Sequence, residues 1–209
     1  MPDALKDEEY LELKYPMRVP PGGFTIEHLE ALQGDIKWEL IDGVLYMMAS
    51  PSILHNCIVD ELRDQLKEYL KDKTCHVLRE IGVNFSPEEA KKSKKGPIPD
   101  LSVVCDKNKL NDPNWVMGIP DFIIEVMSPD DRGKDLVTKK DKYEKAGVRE
   151  YWVVDQVVEN FLYKYILVDG KYSETIFKIK EGYPAPVPAK IKVSIFEDCY
   201  LTIPVKTPF

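Results

Sequence analysis

Asp121-Phe122-Ile123-Ile124-Glu125-Val126-Met127 is the run that decides the fold. Apolar on both sides of its period, it reads as a strand covered on both faces. Ser128-Pro129-Asp130-Asp131 ends it and opens a helix over about Arg132–Ala146, with Gly147 as the C-terminal stop. Val148–Asp155 is then a second apolar strand. A buried strand, a helix and another buried strand in immediate succession predict helices packed on a sheet.

Working outward, Ile98–Cys105 is a strand entered through Pro99-Asp100, and Cys75–Phe85 a strand with an irregularity near Gly82. Between Val104 and Asp121 the residues Pro113, Trp115, Gly118 and Pro120 read as a loop. Ser50-Pro51-Ser52 opens a helix over about Ile53–Leu70, where Ile58, Leu62, Leu66, Tyr69 and Leu70 recur at helical spacing. Upstream, Ile36–Ile41 and Val44–Met48 flank Asp42-Gly43, a strong hairpin signal. Thr25–Leu32 is a short helix with Thr25 as its N-cap. Downstream, Phe161–Val168 and Tyr172–Ile179 flank the Asp169-Gly170 turn, and Ile191–Phe196 is a last apolar stretch after Pro184, Pro186 and Pro188. The fold class is α/β or α+β. We divide the chain into a polar leader, residues 1–24, and one domain over 25–209.

The 209 residues carry a net charge of −7, with 44% hydrophobic and 31% charged residues. That is an ordinary globular composition, large enough for one real core. No run of about 18 apolar residues is present, so no helix should span a membrane. The acidic N-terminus lacks the apolar core of a secretory signal. Cys57, Cys75, Cys105 and Cys199 match no zinc or redox spacing and read as four reduced thiols of a cytoplasmic protein. The acidic balance weighs against non-specific coating of nucleic acid, but not against an enzyme that meets phosphates through a cation. Lys91, Lys92, Lys94 and Lys95 read first as a solvated loop and second as a phosphate contact.

Two carboxylates stand where carboxylates are costly: Asp100 at the head of one strand and Glu125 inside the next. Alone, each has a structural explanation, a turn residue or a buried ion pair. On consecutive strands they point to a shared divalent metal with oxygen ligands. On an α-helical wheel of about 100° per residue, Lys139 falls inside the stripe made by Leu136, Tyr143 and Ala146, Lys140 at its rim and Lys142 on the solvent side. An inward lysine either snorkels out or reaches a buried anionic site.

These segments also carry a resemblance. Pro99-Asp100, Asp121–Pro129, Asp135-x-x-x-Lys139-x-x-x-Tyr143 and Ala146–Asp155, with Trp38–Gly43 and Ser52-x-x-His55 upstream, resemble the Uma family of restriction endonucleases, within the PD-(D/E)XK nuclease superfamily. The resemblance covers about residues 25–168, leaving 169–209 as a C-terminal strand extension. It implies a restriction-endonuclease-like fold: a central mixed β-sheet flanked by helices, with an N-terminal hairpin and additional C-terminal strands. Asp100 corresponds to the acid of the PD element and Glu125 to the acid of the (D/E)XK element. Met127 occupies the position of that element's lysine, and the resemblance implies that Lys139 supplies it from the following helix. Glu39, His55, Asp121 and Tyr143 are accessory candidates.

The implied activity is Mg²⁺-dependent hydrolysis of DNA phosphodiesters, with Mn²⁺ as a substitute. Asp100 and Glu125 would hold the metal, with a backbone carbonyl beside Glu125, and Lys139 would assist the attacking water or the transition state. Cutting both strands would suit a homodimer. Two other readings compete. One is a nuclease-fold protein that binds DNA or a protein partner without cutting. The other is a sugar-processing enzyme using Asp100 and Glu125 as acid and base, which the inward Lys139 disfavours.

Overall fold

The computed structural model describes residues 23–24, 38–41, 43–48, 50–86, 96–128, 133–155, 160–179 and 189–204. The Thr25–Leu32 helix and the lysines at 91–95 lie outside them. Among the described residues twelve strands run in chain order: β1 Trp38–Ile41, β2 Val44–Met47, β3 His76–Arg79, β4 Gly82–Asn84, β5 Leu101–Val104, β6 Trp115–Met117, β7 Phe122–Val126, β8 Glu150–Asp155, β9 Phe161–Val168, β10 Lys171–Lys178, β11 Ala189–Lys192 and β12 Tyr200–Ile203. The helices among the described residues are α1, Ile53–Leu70, and α2, Lys140–Ala146, the latter preceded by a π-helical segment, Lys134–Lys139. A short 3₁₀ turn spans Lys107–Leu110.

The central sheet is mixed, in the order β10-β9-β8-β7-β5-β3. Only β7 and β8 run parallel, as their helical crossover requires; the other neighbours are antiparallel. β1 and β2 form the hairpin read at Asp42-Gly43. Strand alternation divides β7 between two layers. Phe122, Ile124 and Val126 enter the core under α1 and the β11–β12 hairpin, while Ile123 and Met127 enter the core with Tyr143 of α2. Glu125 shares the parity of Ile123 and so faces α2.

α1 starts where Ser52 accepts the backbone N–H of His55, a normal N-cap, and buries Ile58, Val59, Leu62, Leu66 and Leu70. α2 ends at Gly147, whose φ of 92° lies in the left-handed region that a C-terminal cap requires.

The structure departs from the sequence reading in four places. The strand read across Cys75–Phe85 is two strands, β3 in the central sheet and β4 in a separate pair, broken at Glu80 with φ 51°. The loop read before Asp121 contains β6, which pairs parallel with β4. Ile191–Phe196 contributes only part of its length to the β11–β12 hairpin. The thiol reading fails for two cysteines, because Cys75 and Cys105 form a disulfide. The reason is register: His76 pairs with Val104, so Cys75 and Cys105 occupy the next opposed positions, with Cα atoms 3.8 Å apart. Sequence spacing does not encode that juxtaposition, and the thiol argument for a cytoplasmic setting falls with it. Cys57 and Cys199 remain free. Among the described residues no helix is long and apolar enough to cross a membrane.

Candidate active site at the β5–β7 strand ends

Sheet register builds the acid pair. Leu101 of β5 stands opposite Ile124 of β7, which places Asp100 opposite Glu125. The two are tied through the main chain: Asp100 N–H donates to Glu125 Oε2 at 3.3 Å, and Val126 N–H donates to Asp100 Oδ2 at 2.7 Å. Glu125 lies in β7 and Asp100 immediately precedes β5, both inner strands of the sheet rather than its edge.

Lys139 completes the group. It is only 3% exposed, and its Nζ donates to Glu125 Oε1 at 2.8 Å. Glu39 Oε1 lies 3.5 Å and Asp135 Oδ1 3.7 Å from the same Nζ. Tyr143 OH also donates to Glu125 Oε1, at 2.9 Å. Burial alone would lower the Lys139 pKa, but Glu125, Glu39, Asp135 and Asp100 outweigh it and hold the lysine charged, well above its ordinary range. Burial and the neighbouring carboxylates push Tyr143 far up, so it stays protonated as a donor. Burial also raises Glu125 well above the carboxylate range, with Lys139 opposing and Asp100, Asp135 and Glu39 adding to it.

The π-helical segment decides which side chains reach the site. Its i→i+5 repeat places Lys134 and Lys139 on one face, whereas α-helical geometry would separate them by about 140°. Lys134 Nζ accordingly lies 3.5 Å from Glu39 Oε2. The wheel reading took the whole stretch as α-helix; it found Lys139 but missed Lys134 and left Asp135 out of the candidates. It also put Lys142 in solvent, whereas its Nζ lies 5.9 Å from the Phe85 ring centroid.

The accessory candidates separate. Glu39, 2% exposed, is drawn in: besides the two lysines it accepts Ile98 N–H at 2.7 Å. His55, in the first turn of α1, places Nε2 3.2 Å from Asp100 Oδ2. Burial would lower its pKa, yet the hydrogen bond and charge of Asp100, with Glu80, leave it raised. Asp121 is not part of the group. It lies at the opposite end of β7, about 13 Å along the strand from Glu125, where it accepts Cys105 N–H at 2.9 Å and faces Arg149 at 3.4 Å.

Could these residues hold a divalent cation? Among the described residues no three acid, thiol or imidazole side chains gather into a metal cage. What the site offers is two carboxylates with hard oxygens. Asp100 Oδ2 is engaged by Val126 and His55, and no bond to its Oδ1 is formed within the described residues. Among the described residues Glu125 Oε2 holds only the long bond from Asp100 N–H. Among the described residues Glu39, Glu125 and Asp135 gather around Lys139, with Lys134 beside Glu39 and His55 beside Asp100. Two carboxylates completed by water would suit Mg²⁺, which binds few protein ligands.

A family model described as "Putative restriction endonuclease", Uma2, matches residues 25–189. The chain belongs to the Uma2 family. Among solved structures, it is similar to a crystal structure described as a putative nuclease belonging to DUF820 from Anabaena variabilis, at 20% identity and a TM-score of 0.64, covering 86% of this chain and 95% of that one. At that identity the likeness shows the fold, a restriction-endonuclease-like mixed sheet flanked by helices. No curated protein matches the chain. Uma2 membership and the fold together support a nuclease.

Proposed function

We propose that this chain is a Mg²⁺-dependent endonuclease that hydrolyses phosphodiester bonds of DNA, with Asp100, Glu125 and Lys139 at its centre. One observation carries the reading: a buried lysine from the crossover helix bonded at 2.8 Å to an acid whose register partner is a second acid.

Asp100 and Glu125 would hold the cation, which when bound supplies charge neutralisation on the phosphate and acidifies a water. The chain's own groups do the remaining work. Val126 N–H and His55 fix the Asp100 carboxylate, so its other oxygen keeps one direction. Lys139 and Tyr143 fix Glu125 from the opposite side. Lys139, charged and desolvated, stabilises the negative charge that builds on the phosphate or orients the attacking water. Glu39, paired through its other oxygen with Lys134, holds Lys139 in place. No covalent protein nucleophile is used.

Hydrolysis of both strands is assigned to a homodimer, and Mn²⁺ would replace Mg²⁺. The enzyme would work in the cytoplasm, where it meets DNA. The test is nicking of supercoiled plasmid with Mg²⁺, with chelator, and by Asp100→Asn. Cleavage that needs both the metal and Asp100 supports the reading. A protein that retains plasmid without cutting it at any metal concentration would show a non-cleaving binder instead.

A further inference from the structure

Among the described residues the central sheet ends at β10, and nothing there pairs with its outer side. Ser173, Glu174, Thr175 and Ile176 are exposed in a row, Ile176 at 50%. The hairpin geometry says which main-chain groups face outward. Asp169 and Gly170, at φ 49° and 78°, form a tight turn, so Val168 and Lys171 exchange both hydrogen bonds. Odd-numbered residues of β10 therefore bond to β9, and Tyr172, Glu174, Ile176 and Lys178 present N–H and C=O outward. Two bonds confirm this parity. Tyr172 N–H is taken from outside by Glu144 Oε2 at 2.7 Å, while Ile179 N–H turns inward to Asn160 O at 2.7 Å.

We propose that β10 pairs antiparallel with β10 of a second copy of this chain, about a two-fold axis at Ile176. This gives the two-copy assembly proposed above a surface. An exposed strand of this kind is a template for another strand, and antiparallel self-pairing is closed by its own symmetry. Charge selects the register. Centred on Ile176, each Glu174 stands opposite the other copy's Lys178, both being outward-facing positions, and Thr175 stands opposite Phe177. Opposite charges and aromatic–β-branched pairs are the favourable cross-strand combinations. Centring on Glu174 would oppose two carboxylates and require the Tyr172 N–H that Glu144 already holds. A pairing this short buries little area, so the dimer is weak and its mass depends on concentration.

The experiment is light-scattering mass over a concentration series for wild type, Glu174→Lys, Lys178→Glu and the double exchange. Each single change opposes like charges twice across the axis and should weaken the dimer by about tenfold or more. The double exchange should restore it, although it loses, as Glu174→Lys does, the hydrogen bond that Glu174 accepts from Tyr165 across β9–β10. In a Cys57→Ser background, Ile176→Cys should cross-link to itself under mild oxidation. A dimer indifferent to all the charge changes overturns this surface and leaves the assembly standing. A wild type that is monomeric throughout overturns both, and neither result depends on nuclease activity.

Discussion

Lys139 is the residue whose removal separates structure from chemistry. Its Nζ is the nearest positive charge to Glu125, so Lys139→Ala leaves a buried carboxylate uncompensated and should cost about 3–5 kcal/mol in urea unfolding. The pair change Glu125→Gln with Lys139→Met removes both charges and should lie closer to wild type than either single change. With folded protein in every assay, Lys139→Ala should slow single-turnover plasmid cleavage by about a hundredfold or more. Lys142→Ala should leave the rate within a few-fold, since that lysine lies over the Phe85 ring. Equal rates for wild type and Lys139→Ala would remove the lysine from the proposal. The acids were legible because ionised groups in apolar strands need a reason. Lys134 was not, because its approach to Glu39 depends on a π-helical repeat that residue types do not announce.

At the scale of elements, contacts distant in sequence were the part that could not be read. The β1–β2 and β9–β10 hairpins and α1 carry local signals, in Asp-Gly turns and helical periodicity, and these were readable. The separation of β3 from β4, the β4–β6 pair and the Cys75–Cys105 bond depend on which strands become neighbours. The disulfide closes a separation of 30 residues, for which chain entropy gives about 3–4 kcal/mol. Replacing both cysteines by serine should lower unfolding stability by roughly that amount, and no change would show that the bond does not form in solution. Gly82 provides a second check. A Cβ there would meet the Trp115 ring at 1.9 Å across the β4–β6 pair. Gly82→Ala should therefore destabilise by about 1–3 kcal/mol through overpacking, and the melting temperature reads it.

For the molecule as a whole, the buried acids link metal binding to folding. The unfolded chain does not preorganise Asp100 opposite Glu125; only the β5–β7 register does. A cation that binds the native site alone stabilises by RT ln(1 + [L]/Kd), about 2.7 kcal/mol at a hundredfold excess over Kd. For a chain of this length that corresponds to a rise of roughly 5–10 °C in Tm. Wild-type protein titrated with Mg²⁺ or Mn²⁺ should show that rise, saturating with concentration. Asp100→Asn exchanges a charged ligand for a poorly coordinating amide and should flatten it. Lys139→Ala should start from a lower Tm and still climb, because lysine is not a ligand and its loss leaves the acids more negative. The same Tm rise in wild type and Asp100→Asn would place the cation elsewhere and separate the acid pair from metal chemistry.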